Sequence, residues 1–225
     1  MIQSNPFPPA AAARCLRLSG IDWKTYSRLL HIFAEQPGVR LTYDRGELEI
    51  MSPTLEHDDD GRLLGDLVYV LTDVLGLPLK RGGSVTLRRR LRRRGIEADE
   101  CFWIANAPRL AGRRRLDLRV DPPPDLAIEV DVSHSSLDRL PIYAALGVPE
   151  VWRLEGDTLL FYLLGPGPAY LIGPASRWFP LVTPADLLGF LQQARQAGDQ
   201  NPVLRQFRDW VQQRQAGSGQ TPPSS

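Results

Sequence analysis

The spacing of apolar residues along the chain predicts alternating helices and strands. Apolar positions recur at three- and four-residue steps in five stretches, which predict helices over residues 21–36, 57–75, 138–146, 184–196 and 202–213. Two-residue alternation and short apolar runs predict strands over residues 39–43, 47–51, 77–87, 96–104, 126–132, 150–154, 159–163, 170–172 and 179–182. The middle of the chain therefore runs helix, three strands, helix, strand. This order predicts an α/β fold with a mixed sheet, preceded by a helix and hairpin and followed by C-terminal helices.

Length and composition are typical of one globular domain. The chain has 225 residues, of which 43% are hydrophobic and 24% charged. We expect a single domain over residues 19–214, a flexible N-terminal segment over 1–18, and a disordered Gly-, Ser- and Pro-rich tail over 215–225. No apolar run approaches the roughly 20 residues of a membrane span. The N-terminus has no signal-peptide pattern, so we expect a cytoplasmic protein without a membrane partner.

The predicted strand over residues 126–132 carries acidic side chains at unusual positions. Because side chains alternate along a strand, Glu129 and Asp131 share one face, about 6.6 Å apart. Asp99 stands at the start of the preceding apolar stretch and is a second candidate. Asp125 lies about 13 Å from Glu129 along the strand, too far to share an ion with it.

These carboxylates allow two interpretations. Acids from adjacent strands can converge on Mg²⁺, which prefers oxygen ligands and can activate water and polarise a phosphodiester. Alternatively, Asp99 caps a turn, while Glu129 and Asp131 pair with nearby arginines. The spacing alone leaves both interpretations open.

Nearly all of the positive charge is arginine, because Lys24 and Lys80 are the only lysines. One segment concentrates six arginines, namely Arg88, Arg89, Arg90, Arg92, Arg93 and Arg94, and a second cluster comprises Arg113, Arg114 and Arg115. Guanidinium groups bind phosphate in a bidentate manner, so the clusters predict contacts to a nucleic-acid backbone. The alternative is that they are solvated loop tips between strands. The net charge of +1 adds no overall attraction to nucleic acid.

Four motifs in sequence order resemble a known family. They are YDRGELEIMSP over residues 43–53, His57, PPDLAIEV over residues 123–130, and YAALGVPEVW over residues 143–152. Together they resemble the Uma-two family, bacterial proteins described as restriction endonucleases of the PD-(D/E)XK nuclease superfamily. The resemblance covers roughly residues 20–190 and implies a restriction-endonuclease-like core of helix, three strands, helix and strand. That order matches the pattern found independently over residues 57–155.

The resemblance also implies roles for individual residues. Asp99 and Glu129 would be catalytic and would bind Mg²⁺, with Mn²⁺ as an alternative. Glu47 resembles the family's upstream acid, and His57 stands where the family has a histidine at the start of the first core helix. The implied substrate is DNA, and a homodimer is a candidate assembly.

The chain departs from the superfamily pattern at its lysine. In the superfamily pattern the lysine lies two residues after the acid that corresponds to Glu129, and this chain has Asp131 there. In the Uma-two family the lysine resembles one relocated to the following helix, and the corresponding residue here is Arg139, one helical turn before Tyr143. Arginine retains a positive charge near a phosphate but cannot act as a general base. Lys80 is a candidate replacement.

The resemblance therefore leads to two hypotheses. The first is a Mg²⁺-dependent endonuclease that hydrolyses DNA phosphodiester bonds. The second is a catalytically impaired nuclease-fold protein that binds nucleic acid or a protein partner without cleavage. A dimeric structural protein without a nucleic-acid role is a third alternative.

Overall fold

The computed structural model describes residues 14–34, 36, 38–52, 55–131 and 137–218, with backbone only for 14, 55–57 and 218. The helices are α1 (Trp23–Phe33), α2 (Leu55–Val74), α3 (Leu140–Leu146), α4 (Pro184–Gln196) and α5 (Asn201–Ser218). The strands are β1 (Arg14–Leu18), β2 (Arg40–Asp44), β3 (Glu47–Ser52), β4 (Lys80–Arg81), β5 (Thr86–Arg89), β6 (Arg94–Glu97), β7 (Glu100–Trp103), β8 (Leu126–Asp131), β9 (Glu150–Glu155), β10 (Thr158–Leu164) and β11 (Tyr170–Gly173). Short 3₁₀ turns span Arg90–Arg92 and Ala107–Leu110.

The strands form two sheets. The five-stranded sheet has the order β1-β3-β2-β6-β5 and is antiparallel throughout. The six-stranded sheet has the order β11-β10-β9-β8-β7-β4 and is mixed, because β8 and β9 run parallel while its other pairs are antiparallel. A parallel pair needs a crossover, which α3 supplies between β8 and β9.

The central elements have the predicted order. Helix α2 precedes β4, β7 and β8 of the six-stranded sheet, and α3 then leads to β9. The sequence prediction of an α/β protein with a restriction-endonuclease-like core is thus confirmed. Strands β5 and β6 form a hairpin that is inserted into this order and belongs to the other sheet.

Two predicted strands are each divided between the sheets. The predicted strand over 77–87 forms β4 and β5, and the one over 96–104 forms β6 and β7. A Cβ atom at Gly82 would lie 2.5 Å from the Cys101 sulfur, and Gly83 has a φ of +61°, so the chain turns at these glycines. On the partner segment Asp99 lies in the break between β6 and β7. The sequence indicates a bend at Gly82-Gly83, where the structure divides β4 from β5, whereas the prediction of one continuous strand over 96–104 is wrong. The break in that second strand places Asp99 where the chain passes between sheets.

Strand β8 is buried on both of its faces. Helix α2 packs on one face, where Ile128 and Val130 join the main hydrophobic cluster. On the opposite face Ala127 belongs to a second cluster that includes Ile142 and Tyr143 of α3. Glu129 shares the face of Ala127, so its carboxylate lies inside the protein near α3.

Helix α1 covers the five-stranded sheet. Tyr26 of the helix stacks on Tyr43 of β2, with ring centroids 4.6 Å apart. Gly95 of β6 permits this contact, because a Cβ atom there would lie 2.1 Å from the Tyr26 hydroxyl. The packing fixes β2 and β3, which both contribute side chains to the candidate site.

The ends of the chain differ from the sequence prediction. Residues 14–18 of the predicted flexible segment form β1, which pairs with β3, and α5 extends to Ser218, four residues into the predicted tail. The predicted strand over 179–182 is wrong, because this stretch turns and the Val182 amide donates to the Phe179 carbonyl. Residues 1–13 and 219–225 lie outside the described residues. Over the described chain, every helix is too short or too polar to cross a membrane.

Candidate active site

Asp99 and Glu129 are neighbours at the junction of the two sheets. Strands β7 and β8 are antiparallel, and their pairing ends at Glu100 opposite Ile128, so Asp99 and Glu129 lie just past the last pair. Asp99 Oδ2 accepts a hydrogen bond of 2.8 Å from the amide of Val130. Only 5% of Asp99 and 3% of Glu129 is exposed. The structure therefore brings together the two residues predicted as metal ligands.

Glu129 is held by two residues of the following helical segment. Arg139, immediately before α3, donates to Oε2, and the hydroxyl of Tyr143, one turn later, donates to Oε1. The same guanidinium lies 3.5 Å from Glu49 Oε1 and 3.6 Å from the sulfur of Met51, both on β3. Arg139 therefore connects the two sheets through their acids.

One nitrogen of Arg139 is left without a partner. Its Nε is buried and has no hydrogen-bond acceptor among the described residues. An unsatisfied buried donor is costly, and such a group indicates a position where a further acceptor would be favourable.

Asp99 has an arginine of its own. Arg40 of β2 donates to Asp99 Oδ1 at 2.8 Å and to Asp58 Oδ1 of α2 at 2.9 Å. Further hydrogen bonds of 3.2 Å join Arg40 to the hydroxyl of Ser84 and to the carbonyl of Ala98. Arg40 thus links β2, α2 and the break that contains Asp99.

These side chains form what we call the acid–arginine cluster: Glu49, Asp58, Asp99, Glu129, Arg40 and Arg139. Among these described side chains, four carboxylates accompany two guanidinium groups. Carboxylates held close together in a buried site favour binding of a proton or a cation.

The cluster changes the proton affinities of its members. Burial raises the pKa of Glu129 to about 7; Arg139 opposes this effect, while the neighbouring Asp99 adds to it. Burial also raises the pKa of Tyr143, so its hydroxyl stays protonated and donates to Glu129. Glu129 therefore changes its charge near neutral pH.

The donor set fits a divalent metal ion in chemistry and charge. Among the residues that the structure describes, no group of three or more His, Cys, Asp or Glu side chains is arranged to hold a metal. Mg²⁺, however, often uses only one or two carboxylates and completes its shell with water and substrate phosphate. Asp99 and Glu129 supply two such carboxylates within the acid–arginine cluster. An ion there would share its ligands with the two arginines.

The predicted accessory residue Asp131 is paired rather than available. Its Oδ2 accepts a 3.1 Å hydrogen bond from Arg153 Nε. Asp131 nevertheless lines a cavity of about 330 Å³ together with Glu129, Arg139 and Tyr143. For Glu129 and Asp131, the alternative of pairing with arginines therefore describes the observed contacts.

Two further predicted residues, Glu47 and Lys80, are not brought to the cluster. Glu47 accepts hydrogen bonds from Ser19 at 2.9 Å and Arg17 at 3.0 Å, which lower its pKa, and Glu49 stands beside Arg139 instead. Lys80 lines a separate cavity of about 190 Å³. His57 belongs to α2, but its side chain lies outside the described part of the chain.

Sequence reasoning missed Arg40, Glu49 and Asp58. The sequence did indicate Glu49 as a candidate, because it lies two residues after Glu47 on the same face of β3. Asp58 belongs to an acidic run that the helix dipole alone explains, and Arg40 is an ordinary strand residue in the sequence.

Asp125 has a structural role, as its distance from Glu129 predicted. Its Oδ2 accepts hydrogen bonds from the amides of Ile104 at 2.7 Å and Asn106 at 2.9 Å. The carboxylate therefore fixes the loop that follows β7.

The predicted nucleic-acid-binding segment lies at the tip of the β5–β6 hairpin. Arg90 and Arg92 flank Leu91, which is 99% exposed. Arg94 is instead held by Asp44 at 2.9 Å, and the Nε of Arg89 is buried. The six arginines of this segment are therefore not equivalent.

The element order and the neighbouring acids define an α/β protein with a restriction-endonuclease-like core. Residues 23–183 match the family model described as "Uma2: Putative restriction endonuclease". Because this match spans well over half of the chain, the protein belongs to the Uma2 family.

One solved structure that the comparison matches to this chain is described as "a putative nuclease belonging to DUF820 from Anabaena variabilis". The similarity covers 67% of this chain and 90% of that one, with 16% sequence identity and a TM-score of 0.44. Among curated proteins, none matches the chain.

Proposed function

We propose that this member of the Uma2 family is a Mg²⁺-dependent endonuclease that hydrolyses phosphodiester bonds in DNA. The observation that carries the proposal is that Asp99 and Glu129 are neighbours within the acid–arginine cluster, just past the last pair of β7 and β8. Each acid borders a cavity. Asp99 lines a cavity of about 230 Å³, and Glu129 lines the cavity of about 330 Å³.

In this mechanism Asp99 and Glu129 would hold the metal ion. The bound ion would supply Lewis-acid chemistry, lowering the pKa of a water and polarising the phosphate. Tyr143 orients the Glu129 carboxylate through its hydrogen bond. Arg139 remains positively charged and can donate to a phosphate oxygen, for which its unsatisfied Nε provides an additional donor.

A cleavage assay with matched variants tests the proposal. We expect the wild type to cleave single-stranded or duplex DNA when Mg²⁺ or Mn²⁺ is present, and to stop when EDTA is added. Asp99→Asn and Glu129→Gln should each reduce the rate by at least about 100-fold, because each removes an anionic ligand. Asp131→Asn is the control and should retain most of the activity. Absence of cleavage alongside an active control nuclease, or full activity in Glu129→Gln, would contradict the proposal.

A second candidate is a nuclease-fold protein that binds nucleic acid without cutting it. It is favoured by one observation, namely that both carboxylate oxygens of Glu129 already accept hydrogen bonds from Arg139 and Tyr143. Titration calorimetry with Mg²⁺ separates the two candidates, because the endonuclease requires a site that disappears in Glu129→Ala. A cytoplasmic location, one domain over residues 19–214 and a homodimer stay predictions.

A further inference from the structure

A long groove connects to the candidate active site. It has a volume of about 900 Å³ and is lined by α1, by residues 84–88 around β5, and by the loop over residues 114–116. Arg40, Asp58 and Ser84 line both this groove and the smaller cavity that holds Asp99. A molecule bound along the groove would therefore extend to the first predicted metal ligand.

One side of the groove carries uncompensated positive charge. Arg88, Arg114 and Arg115 are exposed, and none of them forms a salt bridge with a residue that the structure describes. The preceding Arg113 differs, since it lies 3.4 Å from Asp121. The two arginine clusters of the sequence therefore meet at one groove, where the first contributes Arg88 and the second contributes Arg114 and Arg115.

The acids of the groove are already engaged. Asp58 is paired with Arg40 at 2.9 Å. Glu97 accepts hydrogen bonds from the Leu41 amide at 3.0 Å and from the Thr86 hydroxyl at 2.9 Å. The groove thus presents a surplus of cationic donors to an incoming polyanion.

Apolar and aromatic side chains also line the groove. Leu30, His31 and Phe33 of α1 line it. Unstacked bases can lie against aromatic side chains while arginines hold the backbone, which is the usual arrangement in single-strand binding. A duplex keeps its bases stacked inside and offers mainly backbone and base edges, so it would gain little from this wall.

We propose that this groove binds single-stranded DNA and directs its backbone toward Asp99. Phosphates would contact Arg88, Arg114 and Arg115, and bases would lie against the wall formed by α1. The choice of DNA as the polyanion rests on the proposed function, whereas the preference for a single strand rests on the groove itself.

Binding can be measured without cleavage, by fluorescence anisotropy of a labelled single-stranded oligonucleotide in EDTA. Arg114→Gln/Arg115→Gln should weaken binding, and the slope of log K against log salt should fall by about 1.4, since each neutralised phosphate contributes about 0.7. The control is Lys24→Gln/Arg205→Gln, which removes the same charge from exposed positions on α1 and α5. The control should keep both the affinity and the slope of the wild type.

The apolar wall has its own test. Phe33→Leu should lower the affinity for the single strand by about fivefold or more and leave binding of a duplex of equal length unchanged. His31→Ala, at an exposed position, is a second variant that is less prone to disturb folding. Equal weakening by the groove and control double variants, or duplex binding as tight as single-strand binding, would overturn the inference. Binding through the groove without Mg²⁺-dependent cleavage would contradict the proposed function alone.

Discussion

Arg139 stabilises two buried acids at once, since it contacts both Glu129 and Glu49. Removing one partner of a buried ion pair leaves an uncompensated charge, which usually costs more than the pair itself contributes. The contribution of Arg139 to the free energy of unfolding can therefore be measured without DNA, separately from its proposed contact with a phosphate.

Arg139→Met tests the folding role. We expect the free energy of unfolding, measured by urea denaturation at pH 8 in EDTA, to fall by about 3 kcal/mol. Arg153→Met is the matched control, because Arg153 pairs with Asp131 at a partly exposed position and should cost less than about 1 kcal/mol. Equal losses of unfolding free energy in the two variants would contradict the prediction that the buried ion pairs of Arg139 stabilise the fold more than the partly exposed pair of Arg153.

The raised pKa of Glu129 predicts a pH dependence of stability. Its pKa is about 7 in the folded protein against an ordinary 4.5, so the folded state holds the proton more tightly than the unfolded state does. The contribution to stability is fully present below pH 4.5 and is lost as pH rises through 7. Over that window it amounts to about 3 kcal/mol, at about 1.4 kcal/mol per pH unit.

Urea denaturation of wild type and Glu129→Gln in EDTA, at pH values between 5 and 8, measures this contribution. Glu129→Gln cannot ionise, so its stability should change less with pH than that of the wild type. Glu100 and Glu150 also have pKa values raised by burial, but they are present in both proteins and cancel in the comparison. Identical pH profiles would show that Glu129 ionises normally in the folded chain.

At the level of elements, local signals predicted the helices better than the strands. The predicted bounds of α4 agree with the structure, because Thr183 and Asp186 form a capping box and Pro184 occupies the first turn. The division of β4 from β5 depends on the contact between Gly82 and Cys101, which are distant in sequence. The glycine pair indicates a bend in the sequence, but no local pattern shows that the two halves join different sheets.

The candidate site was also only partly predictable from local sequence patterns. The family resemblance predicts Asp99 and Glu129 as partners, and the structure places them next to each other, just past the last pair of β7 and β8. The choice of Glu49 over Glu47 was not predictable, since both share one face of β3 and only the packing of Arg139 against that strand distinguishes them. Side-chain alternation predicts which face of the strand a residue occupies, but it does not predict which residue on that face contacts a neighbouring element.

Gly95 offers a test of how α1 is seated on the five-stranded sheet. Gly95→Ala would place a Cβ atom 2.1 Å from the Tyr26 hydroxyl, so we expect a loss of about 2 kcal/mol from overpacking. Gly189→Ala is the control, because this position lies within α4 and has no atom within 4 Å of the added Cβ. The control should gain about 0.5–1 kcal/mol from its higher helix propensity. Thermal unfolding of both variants would reveal the difference, and a neutral Gly95→Ala would contradict the close packing.

For the whole molecule, the candidate site lies where the two sheets meet. The five-stranded sheet supplies Arg40 and Glu49, and the six-stranded sheet supplies Glu129. The contacts across this junction include the salt bridges of Arg40 with Asp99 and of Arg139 with Glu49. An ion bound by Asp99 and Glu129 should therefore stabilise the complete fold as well as a reaction.

Magnesium should raise the thermal stability of the wild type through this junction. A ligand that binds only the folded state adds about 2.7 kcal/mol at 100 times its dissociation constant. We expect the unfolding temperature to rise with Mg²⁺ concentration in the wild type and in Asp131→Asn, and to stay constant in Asp99→Asn/Glu129→Gln. The rise in unfolding temperature is measured for each protein relative to the same protein in EDTA, so a lower intrinsic stability of the double variant does not affect the comparison. An equal Mg²⁺-dependent rise in the double variant would place the ion elsewhere, whereas a rise confined to proteins with both acids would tie metal binding to the junction of the sheets.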